Sequence, residues 1–179
     1  MVAVPIVTAT LQGFIATGIG AGTTAVRGKA LEDMICYLFG LVPGVTITHR
    51  NEMNSFNTEE IDVALWNEQD AVGFHFLPNV ILIESKNWSN AVSSIEVNWF
   101  DSKLRNRGLD FGILISPYGI TGDAADLTAA HSIVAAALKE KRKFIVLTTA
   151  ALLALPDTDA LARLIKTKLC ELAVRGTIG

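Results

Sequence analysis

A carboxylate and an ammonium stand two residues apart at the end of an otherwise apolar run: Val80-Ile81-Leu82-Ile83 leads into Glu84-Ser85-Lys86. On a strand, residues two apart point the same way, so Val80, Leu82, Glu84 and Lys86 share a face, with the charged pair at the strand's C-terminal end. A second carboxylate, Asp62, lies 22 residues before Glu84, within Glu59-Glu60-Ile61-Asp62-Val63-Ala64-Leu65-Trp66-Asn67. There the alternation puts Ile61, Val63 and Leu65 on one face and Asp62, Ala64 and Trp66 on the other. If the two strands are neighbours, Asp62 and Glu84 converge. Two carboxylates brought together repel, and the pKa of one rises strongly unless something neutralises them. A hard divalent cation such as Mg²⁺ resolves the conflict, because it takes one or two carboxylates and completes its shell with carbonyl oxygens and water. The Ser85 carbonyl is well placed as a further ligand. Lys86 then stands beside the attacking water as positioner, proton handler or charge stabiliser. The alternative is a strand-edge ion pair between Glu84 and Lys86, worth only about 0–1 kcal/mol. That reading leaves unexplained why a hydrophobic strand carries both groups at its end.

The elements that must hold these groups follow from periodicity. Residues 23–41 predict a first helix with Leu31, Ile35, Leu38 and Phe39 on one face, ended by Gly40 and Pro43. Residues 44–51 and 59–67 predict strands, 67–70 a turn, 71–76 a further strand, and 79–86 the strand that ends in Glu84-Ser85-Lys86. Residues 93–108 predict a helix, since Ser93 and Glu96 have capping-box spacing and Gly108 suits the stop. Residues 111–116 and 144–149 read as buried strands around a long alanine-rich helix over 122–143. Residues 157–176 predict a closing amphipathic helix, capped by Asp157 and ended by Gly176. Strands alternating with helices in the second half imply an α/β sheet covered on both faces.

Composition narrows the classes. The chain has 179 residues, 50% apolar and 18% charged, which suits one domain with a large core and extensive buried or intersubunit surface. A net charge of −3 leaves no global footprint for nucleic acid. Its distribution is uneven, however. No Lys or Arg lies between Asn51 and Ser85, while Glu52, Glu59, Glu60, Asp62, Glu68 and Asp70 do, and the balance turns basic from Lys86 onward. An acidic stretch beside basic ones could hold a metal next to a polyanion. The run Lys139, Lys141, Arg142, Lys143 reads more simply as a solvated helix end.

Residues 1–26 carry no charged side chain. Polar interruptions from Thr8 to Thr24, together with Pro5 and the absence of a preceding Lys or Arg, argue against a signal peptide or membrane span and for a buried or interface-forming segment. The two cysteines, Cys36 and Cys170, are far apart and form no CxxC, which argues against a structural zinc site; two cysteines make no disulfide framework, and the expected compartment is the cytoplasm. The stretch Gly18 to Ala30 fails the phosphate-loop pattern: five residues separate Gly22 from Gly28 where four are needed, and Ala30 stands where Ser or Thr should. It reads as a flexible or closely packed turn. His49, His75 and His131 are scattered, and His131 falls on the apolar stripe of Leu127, Val134 and Leu138 as a packed or boundary histidine.

Asp62 followed by Glu84-Ser85-Lys86 resembles the PD-(D/E)XK nuclease core, in the branch similar to Mrr-type restriction endonucleases. The Lys86-Asn87-Trp88 stretch and residues 97–116 are also similar to that branch, and the resemblance covers roughly residues 23–148. It implies a three-layer sandwich, with a central mixed β-sheet flanked by helices in an αβββαβ core, and metal-dependent cleavage of DNA phosphodiesters. Glu32 matches the acidic residue that many members carry on the first helix. Two departures stand out: Ile61 replaces the proline before the aspartate, and the glutamine often found on the helix after the motif is absent, with Asn98 its nearest substitute.

The expectations are therefore specific. Residues 1–179 form a single nuclease-like domain, with a core at about 23–148, an apolar segment at 1–22 and a closing helix at 157–175. Asp62, Glu84 and the Ser85 carbonyl bind Mg²⁺, for which Mn²⁺ substitutes; Lys86 assists the attacking water, and Glu32 is an auxiliary acid. Lys103, Arg105 and Arg107 contact DNA backbone phosphates. The partners are DNA and a second copy in a homodimer or higher oligomer, with no membrane. Restriction or anti-phage defence is the expected role. The rivals are a branched-DNA (Holliday junction) resolvase and a non-catalytic nucleic-acid-binding or assembly module that keeps the fold.

Overall fold

The computed structural model describes residues 3–54, 59–86, 90–122 and 129–178. Helix α1 (Thr8–Ile19) leads through a glycine-rich turn into α2 (Thr24–Gly40). Strands β1 (Val45–Met53), β2 (Glu60–Asn67) and β3 (Val80–Ser85) follow, then α3 (Ser94–Asn106), β4 (Phe111–Ser116), α4 (Ala129–Lys139) and β5 (Lys143–Thr148). A short α5 (Thr149–Leu153) and the closing α6 (Thr158–Arg175) complete the order. The strands form one five-stranded sheet in chain order. β1, β2 and β3 make an antiparallel meander. β3, β4 and β5 run parallel, with α3 and α4 as crossovers. This mixed sheet with helices on both sides is the restriction endonuclease-like fold.

Two apolar layers sandwich the sheet, which is why its central strands need no polar alternation. Ile81 and Ile83 of β3 pack with Leu31, Ile35 and Leu38 of α2 and with Leu161 and Ile165 of α6. Leu82 faces the other way, into a layer built from Val97, Phe100 and Leu104 of α3 and Val134 of α4. Helix α3 lies very close to β4. A Cβ built on Gly112 would stand 2.7 Å from the Phe100 ring and 3.0 Å from Leu104. Glycine at 112 is thus what lets α3 settle onto the sheet beside the end of β3. The helix is phased by its capping box: the Ser93 backbone N–H donates to Glu96 Oε2 at 2.9 Å, and the Glu96 N–H returns to Ser93 Oγ at 3.4 Å.

Several expectations change on contact with the fold. Residues 71–76 form no strand. The buried Asn67 side chain donates its amide to the Phe74 carbonyl inside the segment and to those of Leu77 and Pro78 just after it, at 2.9, 3.2 and 3.1 Å, and the segment closes as turns, with Gly73 N–H on the Asp70 carbonyl and Leu77 N–H on that of Phe74, both at 2.9 Å. Ile61 does not keep company with Val63 and Leu65; it packs with Ala64 and Leu82 on the opposite layer. The β2–β3 ladder ends at Val63↔Ile83, and strict alternation lapses beyond the last pair. Arg142 does not belong to a solvated helix end. It is buried, with Nε 2.8 Å from Asp101 Oδ1, because the chain turns sharply between α4 and β5 and carries Arg142 under α3.

The uncharged N-terminal segment yields α1, anchored by the fully buried Leu11 and by Phe14, whose ring lies 6.1 Å from Tyr37. Among the described residues no helix is long and apolar enough to cross a membrane. Cys36 and Cys170 are both free. His131 is buried, with Nδ1 3.0 Å from the Thr177 hydroxyl, as a packed histidine should be. The start of the alanine-rich helix, including Leu127, and the Asn87-Trp88 stretch lie outside the described residues.

Candidate functional site

The site grows from the point where β2 and β3 stop pairing. One step past Val63↔Ile83 the register would set Asp62 opposite Glu84. Instead, the Asp62 carboxylate inserts itself: Oδ2 accepts the Ser85 backbone N–H at 2.7 Å and the Ser85 hydroxyl at 2.9 Å. In an extended chain the N–H and C=O of one residue face the same neighbour, so the Ser85 carbonyl is turned to the Asp62 side as well. On the other side of β3, the Lys86 backbone N–H donates to the Ile115 carbonyl at 3.0 Å, carrying the β3–β4 ladder one residue past the strand. The Glu84-Ser85-Lys86 backbone is therefore gripped from both sides.

Glu84 is buried, at 3% exposure, and two ammonium groups meet it. Lys86 Nζ lies 2.8 Å from Oε1. Lys103 Nζ lies 2.7 Å from both Oε1 and Oε2, and 2.7 Å from the Glu60 carbonyl. Lys103 comes from the face of α3 that Gly112 allows close to the sheet. Burial pushes the Glu84 carboxyl above the usual carboxylate range, and the charge of Asp62 adds to the rise, while Lys86 and Lys103 hold it back. For Lys86 burial works against the charge, but the Glu84 carboxylate and then Asp62 more than offset it, and the ammonium is held above the ordinary lysine range. Glu59, Glu60, Glu84, Lys86, Trp99, Ser102 and Lys103 line an open cavity of about 340 Å³ at this point.

Glu32 stands on α2 and is tied to β1: Arg50 Nε lies 3.3 Å from its Oε2, and Arg50 also reaches Asp33 at 2.6 Å. Burial raises the Glu32 pKa, Arg50 opposes the rise, and the charges of Asp62 and Glu60 add to it, so Glu32 feels the site electrostatically. The basic residues expected on DNA divide three ways. Lys103 turns inward onto Glu84. Arg105 is half exposed and reaches Asp101 at 3.1 Å and Glu140 at 3.5 Å. Arg107 pairs with Glu59 and donates to the Lys103 carbonyl at 3.1 Å. Asn98 is exposed on α3.

Two carboxylates and a peptide carbonyl make a hard oxygen donor set that suits Mg²⁺, which keeps several waters and shares substrate oxygens. Among the described residues no three His, Cys, Asp or Glu side chains stand together to enclose a metal, so a cation here would draw the rest of its shell from water and substrate. Sequence reasoning missed Lys103 as a partner of Glu84, and it missed Arg50 and the exposed Trp99. The spacing of Trp99 and Lys103, one helical turn apart in phase with the capping box, was the available signal.

A meander of three strands, a helix crossing to a parallel fourth strand, and an Asp and Glu-x-Lys at the point where β2 and β3 diverge define the PD-(D/E)XK nuclease class. A family model of restriction endonuclease catalytic domains of the Mrr type matches residues 25–152, and the chain belongs to that family. No curated protein matches the chain.

Proposed function

We propose that the chain is a DNA endonuclease that depends on Mg²⁺, with Mn²⁺ able to substitute. The carrying observation is the meeting of Asp62, Glu84 and Lys86 at the end of β3, with Ser85 N–H 2.7 Å from Asp62 Oδ2 and Lys86 Nζ 2.8 Å from Glu84 Oε1. Asp62, Glu84 and the Ser85 carbonyl hold the cation. A divalent ion held there would supply positive charge at the phosphate and make a coordinated water more acidic. Lys86, oriented by Glu84 and kept charged, positions the attacking water and donates to phosphate oxygens. Glu32, whose pKa is raised, serves as an auxiliary acid from α2. Arg105 and Arg107 serve as contacts to backbone phosphate, Arg105 being the more exposed.

We read residues 1–179 as a single nuclease-like domain that works as a homodimer or higher oligomer, in the cytoplasm, in restriction or anti-phage defence. One such site makes one cut, so a double-strand break needs two copies, and two-fold closed dimers are the commonest arrangement. The test is cleavage of linear duplex, branched and single-stranded DNA in Mg²⁺, in Mn²⁺ and in EDTA. Cutting of linear duplex that EDTA abolishes supports the proposal. Cutting confined to branched DNA would make it a junction resolvase, and binding without cutting a non-catalytic module.

A further inference from the structure

Both oxygens of Glu84 already carry ammonium hydrogens. Lys103 bonds both at 2.7 Å, and Lys86 bonds one of them at 2.8 Å. Lys103 is no stray surface chain: its side chain is only 12% exposed, its ammonium has a third partner in the Glu60 carbonyl at 2.7 Å, and Gly112 gives α3 the clearance to deliver it. A divalent cation that takes Glu84 must approach the same two oxygens. Two ammonium groups already share this buried carboxylate, and a divalent cation added to them would crowd three cationic groups onto two oxygens, so one ammonium must give way. Lys86 approaches from the strand that carries Glu84, whereas Lys103 closes over the carboxylate from the helix layer. Its flexible four-carbon stem lines the open cavity beside Trp99 and Ser102, so the ammonium has room to leave.

We infer that Lys103 is the resident counter-ion of Glu84: it fills the carboxylate in the metal-free protein, a divalent cation must displace it, and the displaced ammonium turns towards a nucleic-acid phosphate. The inference rests on the proposed reading of Asp62 and Glu84 as metal ligands. Linkage then couples the two loading steps, because a phosphate that engages Lys103 frees Glu84 for the cation, and a cation on Glu84 frees Lys103 for the phosphate.

The experiment titrates the metal-free protein with Mn²⁺ at a mildly alkaline pH and follows free Mn²⁺ by electron paramagnetic resonance, without nucleic acid. The proteins are wild type, Lys103→Met, Lys103→Gln, the exposed-site control Lys139→Met and Asp62→Asn, each first checked by melting. Lys103→Gln keeps a donor for the Glu60 carbonyl without the charge, so it carries the test if Lys103→Met does not fold. Removing the charge is expected to tighten Mn²⁺ binding about tenfold, the equivalent of releasing one charge-assisted hydrogen bond, with Lys139→Met unchanged. Equal or weaker Mn²⁺ binding in the uncharged Lys103 variants overturns the displacement. Wild-type binding that Asp62→Asn abolishes upholds the metal reading separately, so that result paired with unchanged Lys103 variants sinks only the counter-ion role. No Mn²⁺ binding by any protein sinks both.

Discussion

The Lys103 ammonium on α3 lies 2.7 Å from each carboxylate oxygen of Glu84 on β3, joining two elements across the second apolar layer. Removing Glu84 alone strands two partly buried ammonium groups, Lys86 and Lys103. In metal-free protein Glu84→Ala should therefore cost about 2 kcal/mol, short of the full penalty for breaking a buried pair. Adding Lys103→Met should recover part of that loss, giving a coupling of about 1 kcal/mol or more. Urea melts of the two single variants and the double variant in EDTA check this, and additive losses would deny the pair.

Asp62→Asn separates chemistry from folding. The asparagine oxygen can still accept from the Ser85 N–H and hydroxyl, which now lie 2.7 and 2.9 Å from Oδ2. Stability should stay within about 1 kcal/mol, while cleavage in Mg²⁺ falls below detection. Melting curves and a nicking assay on the same preparation measure both.

Asp101 and Arg142 lie away from that chemistry. Both are buried, and Arg142 Nε and Nη2 reach the two Asp101 oxygens at 2.8 and 3.2 Å. Asp101→Ala removes the buried carboxylate and leaves the Arg142 guanidinium only the exposed Glu140, whose Oε2 lies 2.7 Å from Nη1, so it should cost about 2 kcal/mol, short of the full penalty for an uncompensated buried charge. Because Asp101 also holds Arg105 at 3.1 Å, DNA affinity can change, but turnover at saturating DNA, measured well below the lowered melting temperature, should be intact, which marks the Asp101–Arg142 pair as structural.

Gly112→Ala should act at a distance. Its Cβ would stand 2.7 Å from the Phe100 ring and 3.0 Å from Leu104, so those two buried side chains must repack and are expected to press α3 outward, at a cost of about 1–3 kcal/mol for an overpacked core. The shift carries Lys103 with it, so Mn²⁺ affinity should change along with stability. Calorimetric titration beside thermal melting tests whether the two move together.

Arg107 holds the Glu59 carboxyl below its ordinary value of 4.5, against the smaller upward push of burial. A depressed folded pKa means that the carboxylate contributes stability above the unfolded pKa and loses it as pH falls through the folded one. The melting-temperature advantage of wild type over Glu59→Gln should thus be full at neutral pH and shrink once pH drops below 4.5. A constant difference across that range would remove the linkage.

The order of elements could be read from periodicity because apolar runs and caps are local. β4 was legible residue for residue, and the Ser93–Glu96 box marked the start of α3. Residues 71–76 misled because their fate depends on Asn67, a side chain whose hydrogen bonds no periodic pattern announces. Asp62, Glu84 and Lys86 were legible as a constellation, since two strands and a period of two are enough to bring them together. Lys103 was legible only as a charge. Its direction depends on how closely α3 packs, which Gly112 governs from another strand. Arg142 was misread for a similar reason: Asp101, the carboxylate that meets it in the interior, lies 41 residues away.

Lys86 belongs to two parts of the molecule that need not open together. Its backbone N–H is bonded to Ile115 at 3.0 Å, while its ammonium sits on Glu84 at the mouth of the cavity. In hydrogen–deuterium exchange, the amide of this residue should swap as slowly as those of the central parallel strands. Ligands that rearrange the cavity would leave that slow amide untouched, whereas any opening that separates β3 from β4 would expose it. One peptide amide thereby times the unzipping of the sheet, independently of events at the carboxylates.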